Sequence, residues 1–158
     1  VFACGMLISL VTFGMYRLGM ASRDVIVWFG VLHLLGICMM LYPAYKKLPT
    51  QELAAMGVVL VVTGYLISGT VVEAKFLFPF GFVYEGFASS DYFPLLPWFF
   101  VFLAGAYTGK YAIEDKMPAF FYKTHCKPLA LAGRYTLWIY VLHQPVAMVF
   151  FLLIFGRI

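Results

Sequence analysis

Long apolar stretches separated by short polar breaks dominate this chain. Five of them fall at roughly 1–16, 25–45, 53–70, 94–112 and 135–156. Each is close to the ~20 residues a helix needs to cross a bilayer, allowing for cut or tilted ends. They are too long and too uncharged to be strands of a membrane barrel. The pattern therefore predicts an all-α fold, a polytopic transmembrane helical bundle with about five spans. No internal repeat or low-complexity linker divides it, so residues 1–158 read as one domain.

Polar residues inside an apolar run carry more information than the run itself. The fifth stretch opens Gly133-Arg134-Tyr135-Thr136-Leu137-Trp138-Ile139-Tyr140-Val141-Leu142-His143-Gln144-Pro145. With Arg134 held among headgroups, a helix rising ~1.5 Å per residue carries His143 ~13 Å inward. That is close to the middle of a ~30 Å hydrocarbon layer. Gln144 lies beside it. Pro145 removes a backbone donor and frees a carbonyl near Val141, which predicts a kink. Polar side chains and a broken backbone bond at that depth must face other helices or water. His33, in Phe29-Gly30-Val31-Leu32-His33, reaches a similar depth from the other face. Each histidine is either a structural hydrogen-bonding group or a proton carrier. Two at matching depth favour a shared polar cavity.

Sidedness follows from Lys and Arg. Lys46 and Lys47 lie in the 46–52 loop, and Lys110, Lys116, Lys123, Lys127 and Arg134 lie in the 110–134 loop. The opposite side holds Arg17, Arg23 and Lys75, with Arg157 near the end. The excess places the 46–52 and 110–134 loops in the cytoplasm. The 71–93 loop then faces outward. Its run Phe76–Phe87 is rich in aromatics and broken by Pro79, Gly81 and Gly86. It is either an interfacial anchor or a lid over an outward-facing site.

Asp91 precedes the fourth stretch in Ser89-Ser90-Asp91-Tyr92-Phe93-Pro94-Leu95-Leu96-Pro97-Trp98. It is either an N-cap of that helix, with Pro94 in the first turn, or a carboxylate at an entrance. In the second case the helix begins at Pro97. Tyr92, Trp98 and Tyr140 join Asp91 as candidate substrate-binding residues. Arg134 is either an interface anchor or a ligand for donor phosphates. Gly105 and Gly109 form a small-xxx-small pair, and Gly30, Gly36, Gly57 and Gly64 are read with them as packing sites.

Composition agrees with the pattern. The chain is 64% hydrophobic and 11% charged, about half the charged share of a soluble domain. The net charge of +4 is a topology signal and does not argue for nucleic acid. Cys4, Cys38 and Cys126 do not pair at disulfide-framework or metal-ligand spacing, so no metal site is expected. No Gly-rich phosphate loop, zinc signature or serine elbow occurs. Val1 falls inside an apolar run with no charged leader before it, so the chain reads as a fragment missing its start.

The Phe29–His33 segment, the Asp91–Trp98 segment and the Gly133–Pro145 segment come in a fixed order. Together they resemble the bacterial family of heparan-alpha-glucosaminide N-acetyltransferase catalytic-domain-like membrane proteins. The resemblance implies transfer of an acyl group, acetyl from acetyl-CoA, to a sugar or cell-envelope glycan. It implies no bound cofactor, with acyl-CoA as a donor substrate. It also implies a bilayer partner, a bacterial inner-membrane location and a glycan or small-molecule acceptor, and it leaves a homo-oligomer open. The family begins with further helices that carry an Arg-Gly motif and its principal histidine. That role is therefore not carried over to His33 or His143. His143, Gln144 and His33 are the candidate catalytic residues, and Arg134 the candidate donor-binding one. The alternative is a carrier that moves a polar solute or lipid-linked sugar without acyl chemistry.

Overall fold

The structure is a computed structural model. It describes residues 1–123 and 126–155, apart from the side chains at 50, 144, 145, 148, 149, 151, 152 and 155. Among the described residues it is helical, with two isolated bridges, Phe29 with Tyr92 and Val71 with Val83. The helices are α1 (Phe2–Arg17), α2 (Val31–Tyr45), α3 (Thr50–Ile67), α4 (Leu95–Ile113), α5 (Lys127–Arg134) and α6 (Thr136–Phe155). They match the five apolar stretches, with α5 an added short helix in the basic loop before α6.

Helix α2 is shorter than the apolar run at 25–45 suggests. Among the described residues, no helix is long and apolar enough to cross a membrane. For α2 the cause is visible. Residues 26–30 do not join the helix but lie against 89–93, after a 3-10 turn at Arg23–Val25. Phe93 N–H donates to Phe29 O at 3.0 Å and Ser90 N–H to Ile26 O at 3.3 Å. Ile26 and Val27 are buried by this pairing. For α4, Leu96 has extended backbone (φ −99°, ψ 125°) and the Leu96–Pro97 bond is cis. Its regular helix therefore starts at Pro97, the second of the two starts the sequence allows.

The chain divides into two compact units, Val1–Lys110 and Tyr111–Ile158. In the first, the helices alternate in direction around α2. Phe2 meets Gly36 and Gly5 meets His33, so α1 runs antiparallel to α2. Gly57 faces Phe100 and Gly64 faces Pro97, so α3 runs antiparallel to α4. Lys110 Nζ donates to Lys46 O at 3.0 Å, joining the C-terminal ends of α2 and α4. A cation at that carbonyl also complements the α2 dipole. The core between them holds Leu34, Cys38 and Tyr45 of α2, Leu53 of α3, and Phe99 and Leu103 of α4.

At Gly36, Gly57 and Gly64 a methyl group would overlap the facing helix, which is why only glycine fits. Gly105 and Gly109 are different. A Cβ at either would meet open space, so the small-xxx-small pair packs no helix among the described residues. The aromatic loop is folded on itself. Residues 75–80 form a 3-10 turn, and Val72 N–H donates to Val83 O at 2.8 Å. Phe78 packs on Phe29, and Phe87 bridges Phe78 and Tyr92.

In the second unit, Tyr122 closes a turn. Its hydroxyl donates to Ala112 O and accepts from Met117 N–H, both at 3.1 Å. Thr136 Oγ1 donates to Gly133 O at 2.7 Å where α5 gives way to α6. Helix α6 runs on through position 145. The side chain of Pro145 lies outside the described residues.

Candidate functional site

The sequence-predicted residues fall into two groups. His33, Asp91, Tyr92 and Trp98 belong to the first unit, and Arg134, Tyr140 and His143 to the second. The side chain of Gln144 lies outside the described residues.

In the first unit His33 is 3% exposed, and its ring lies between those of Phe29 and Phe2, with both centroids at 5.6 Å. Its Nδ1 accepts from Gly30 N–H at 3.2 Å. An N–H can only donate, so Nδ1 carries the lone pair and Nε2 carries the proton in the neutral ring. Nε2 faces Ser9 Oγ at 3.4 Å, and Ser9 Oγ donates in turn to Val27 O at 2.6 Å. Every hydrogen in this relay has a defined direction. It runs from Gly30 N–H through the imidazole and the Ser9 hydroxyl to the Val27 carbonyl. Both ring nitrogens are occupied, which suits a group that holds its neighbours in place.

Asp91 completes the same knot. Its Oδ2 accepts from Val31 N–H at 3.2 Å, at the amide next to the one His33 takes. Asp91 thus caps α2, which precedes it by 60 residues in sequence. The cap was legible, but the helix it serves was not, because 60 residues separate the partners. Two free amides at the α2 N-terminus are shared between an imidazole and a carboxylate. Thr12 Oγ1 accepts from Val27 N–H at 3.2 Å, and Ser89 Oγ from Trp28 N–H at 3.2 Å. These side chains satisfy the amides of Val27 and Trp28, whose buried backbone would otherwise cost ~1–3 kcal/mol per orphan group.

Ser9 and Thr12 were missed in the sequence reading. The available signal is their spacing: two hydroxyls at i and i+3 share one face of an otherwise apolar helix.

Gly30 is the tightest point. A Cβ there would collide with Asp91 Oδ2. Gly30→Ala should therefore lower stability by about 1–3 kcal/mol through overpacking. Gly14 lies in α1 with open space beside it. Gly14→Ala should be neutral or stabilise by about 0.5–1 kcal/mol. Thermal unfolding of the two variants side by side checks the contrast.

Tyr92 donates its hydroxyl to Phe78 O at 2.6 Å, and burial pushes its phenol up to about 12. It stays neutral and ties the aromatic loop to the start of α4. Trp98 is partly exposed, with its ring 4.9 Å from that of Phe93.

In the second unit the chemistry differs. His143 is exposed on α6, and its Nδ1 is hydrogen-bonded to Tyr140 O. A carbonyl can only accept, so Nδ1 carries the proton and Nε2 the lone pair in the neutral ring. In the neutral rings these two contacts select opposite tautomers. In His33 the lone pair is already taken by an amide. In His143 the backbone bond leaves the lone pair at the tip of the side chain. Tyr140 packs on the same imidazole, with ring centroids 5.4 Å apart. Arg134 closes α5 and is exposed, whereas Leu137 and Tyr140, in the first turns of α6, are partly buried.

The family model described as "Heparan-alpha-glucosaminide N-acetyltransferase, catalytic" matches residues 1–145. That span covers α1 to α4 and reaches the His143 turn of α6. No curated protein matches the chain, and no solved structure does. With most of its 158 residues inside the match, the chain belongs to the heparan-alpha-glucosaminide N-acetyltransferase catalytic family.

Proposed function

We propose that this protein is an integral membrane acyltransferase that moves an acetyl or other acyl group from acyl-CoA to a sugar or envelope glycan. The family match over 1–145 carries this reading. The tautomer of His143 supports the assignment of a base. In the reaction, His143 Nε2 takes the proton of an acceptor hydroxyl or amine as that atom attacks the thioester carbonyl. A bond from the acceptor to the acyl carbon forms and the C–S bond breaks. Coenzyme A leaves as a thiolate and takes up a proton. Tyr140 O holds the imidazole in its working tautomer, and it stabilises the imidazolium as the proton arrives. Gln144 is the proposed amide donor to the developing oxyanion, and Arg134 the proposed contact for the donor's phosphates. His33 and Asp91 are positioning residues that build the entrance to α2.

The membrane setting is part of the proposal. Helices α1, α3 and α6 expose large apolar side chains around their circumference, among them Leu7, Leu10, Val58, Val62, Leu66, Ile139 and Leu153. Apolar surface on that scale needs a cover, and lipid is the one that fits five long apolar stretches. The alternation of α1 to α4 and the pairing of Lys46 with Lys110 support a shared cytoplasmic side for the 46–52 and 110–134 loops.

The test is direct. The full-length protein in nanodiscs is incubated with radiolabelled acetyl-CoA and an envelope extract. Protein-dependent label in glycan or lipid is the expected result. Solute flux into vesicles with no acyl donor and no labelled product would overturn the acyltransferase in favour of a carrier.

A further inference from the structure

From residue 116 to the end the sequence contains no Asp or Glu. Lys116 is the one cation there that the structure pairs among the described residues, with Glu114 at 2.6 Å. Lys123, Lys127 and Arg134 have no described carboxylate partner. Large apolar side chains are exposed around them: Phe120 at 66%, Phe121 at 65%, Leu129 at 72% and Trp138 at 62%. The turn that carries the two phenylalanines is held by Tyr122, through its bonds to Ala112 O and Met117 N–H. Exposed aromatics are therefore a built feature of a pinned turn.

Cations interleaved with exposed aromatic and leucine side chains suit one environment, the boundary between headgroups and acyl chains. The unbalanced positive charge selects its sign. We propose that residues 117–123 and 126–138 form a docking surface for anionic lipid, with Lys123 and Lys127 on the headgroup phosphates. Phe120, Phe121, Leu129 and Trp138 rest in the upper acyl region. The proposal rests on the membrane reading above and adds a lipid-headgroup requirement to it. Juxtamembrane cations attract anionic headgroups individually, and the attraction falls off within a Debye length.

The test reads lipid contact and not catalysis, so it is independent of the acyltransferase reading. An environment-sensitive fluorophore is attached to Cys126, which is exposed, in the full-length protein with Cys4→Ser and Cys38→Ala. If that background does not fold, the wild-type protein is labelled at its exposed Cys126 thiol. The protein is placed in phosphatidylcholine vesicles with spin-labelled phosphatidylglycerol or spin-labelled phosphatidylcholine as the quencher. Phosphatidylglycerol should quench by about twofold or more over phosphatidylcholine at low salt, and the preference should vanish in about 1 M salt. Lys123→Glu combined with Lys127→Glu should remove it as well. Equal quenching by the two lipids at low salt overturns the headgroup assignment. No quenching by either removes the segment from the membrane surface altogether. Loss of the preference on adding acyl-CoA assigns the cations to the donor and overturns the lipid site.

Discussion

His143→Ala lowers acyl transfer by about 10²–10⁴-fold, the range a positioned general base contributes. The loss is in turnover and not in folding, because His143 is exposed and its polar contact in the structure is to the carbonyl of its own helix turn. The variant should therefore unfold at the wild-type temperature. Imidazole added to the medium should restore part of the rate, since a free base can enter the space the ring leaves. His143→Gln should not substitute, because an amide offers no basic nitrogen. Measured rates of label transfer with and without imidazole check all three. A wild-type rate in the Ala variant would remove His143 from the chemistry and leave the reaction assignment intact.

His33→Ala has the opposite signature. It empties a site that is 3% exposed and strands Gly30 N–H, while Ser9 Oγ keeps its bond to Val27 O. The buried orphan costs ~1–3 kcal/mol, and the cavity adds to that. A net loss of about 3–5 kcal/mol is expected from these terms, enough to unfold a marginal domain. His33→Gln is the informative partner. Its amide can donate to Ser9 as Nε2–H does, so it should recover a large part of the stability. Any activity it retains should follow the wild-type pH profile if His33 acts as the positioning residue proposed above. A thermal melt and a pH–rate curve on the same samples separate the roles. A His33→Gln protein that is folded yet has lost the wild-type pH dependence would return His33 to proton transfer.

Helices α1 to α4 and α6 and their order were legible because each is a long apolar run ended by charge, Pro or Gly; α5 was not. The start of α4 was legible only as a choice between Pro94 and Pro97, and the structure takes the second. The fate of residues 25–30 was not legible. Val25 to Phe29 is as apolar as the helix after it, and periodicity cannot separate a buried extended segment from a helical one. Its conformation is set by Ser89, Ser90 and Phe93, far along the chain. The candidate residues were visible for a simple reason: a histidine or carboxylate beside apolar neighbours is rare. What separated them was not visible. His33 and His143 sit in similar surroundings by sequence, and only the structure shows that the partner of Nδ1 is an amide in one and a carbonyl in the other. Ser9 was overlooked because a single hydroxyl satisfies itself in many helices without comment.

The capping of α2 also constrains the order in which the protein can be made. Val31 leaves the ribosome 60 residues before the carboxylate that will accept its amide. At ~5–20 residues per second, that partner arrives ~3–12 s later. Until then the 25–30 segment and the first turn of α2 have no partner from 89–93 to hold them. The finished socket around His33 is thus a late event in biogenesis, and a nascent chain arrested before Ser89 should carry an α2 whose first turn is open to proteolysis or hydrogen exchange.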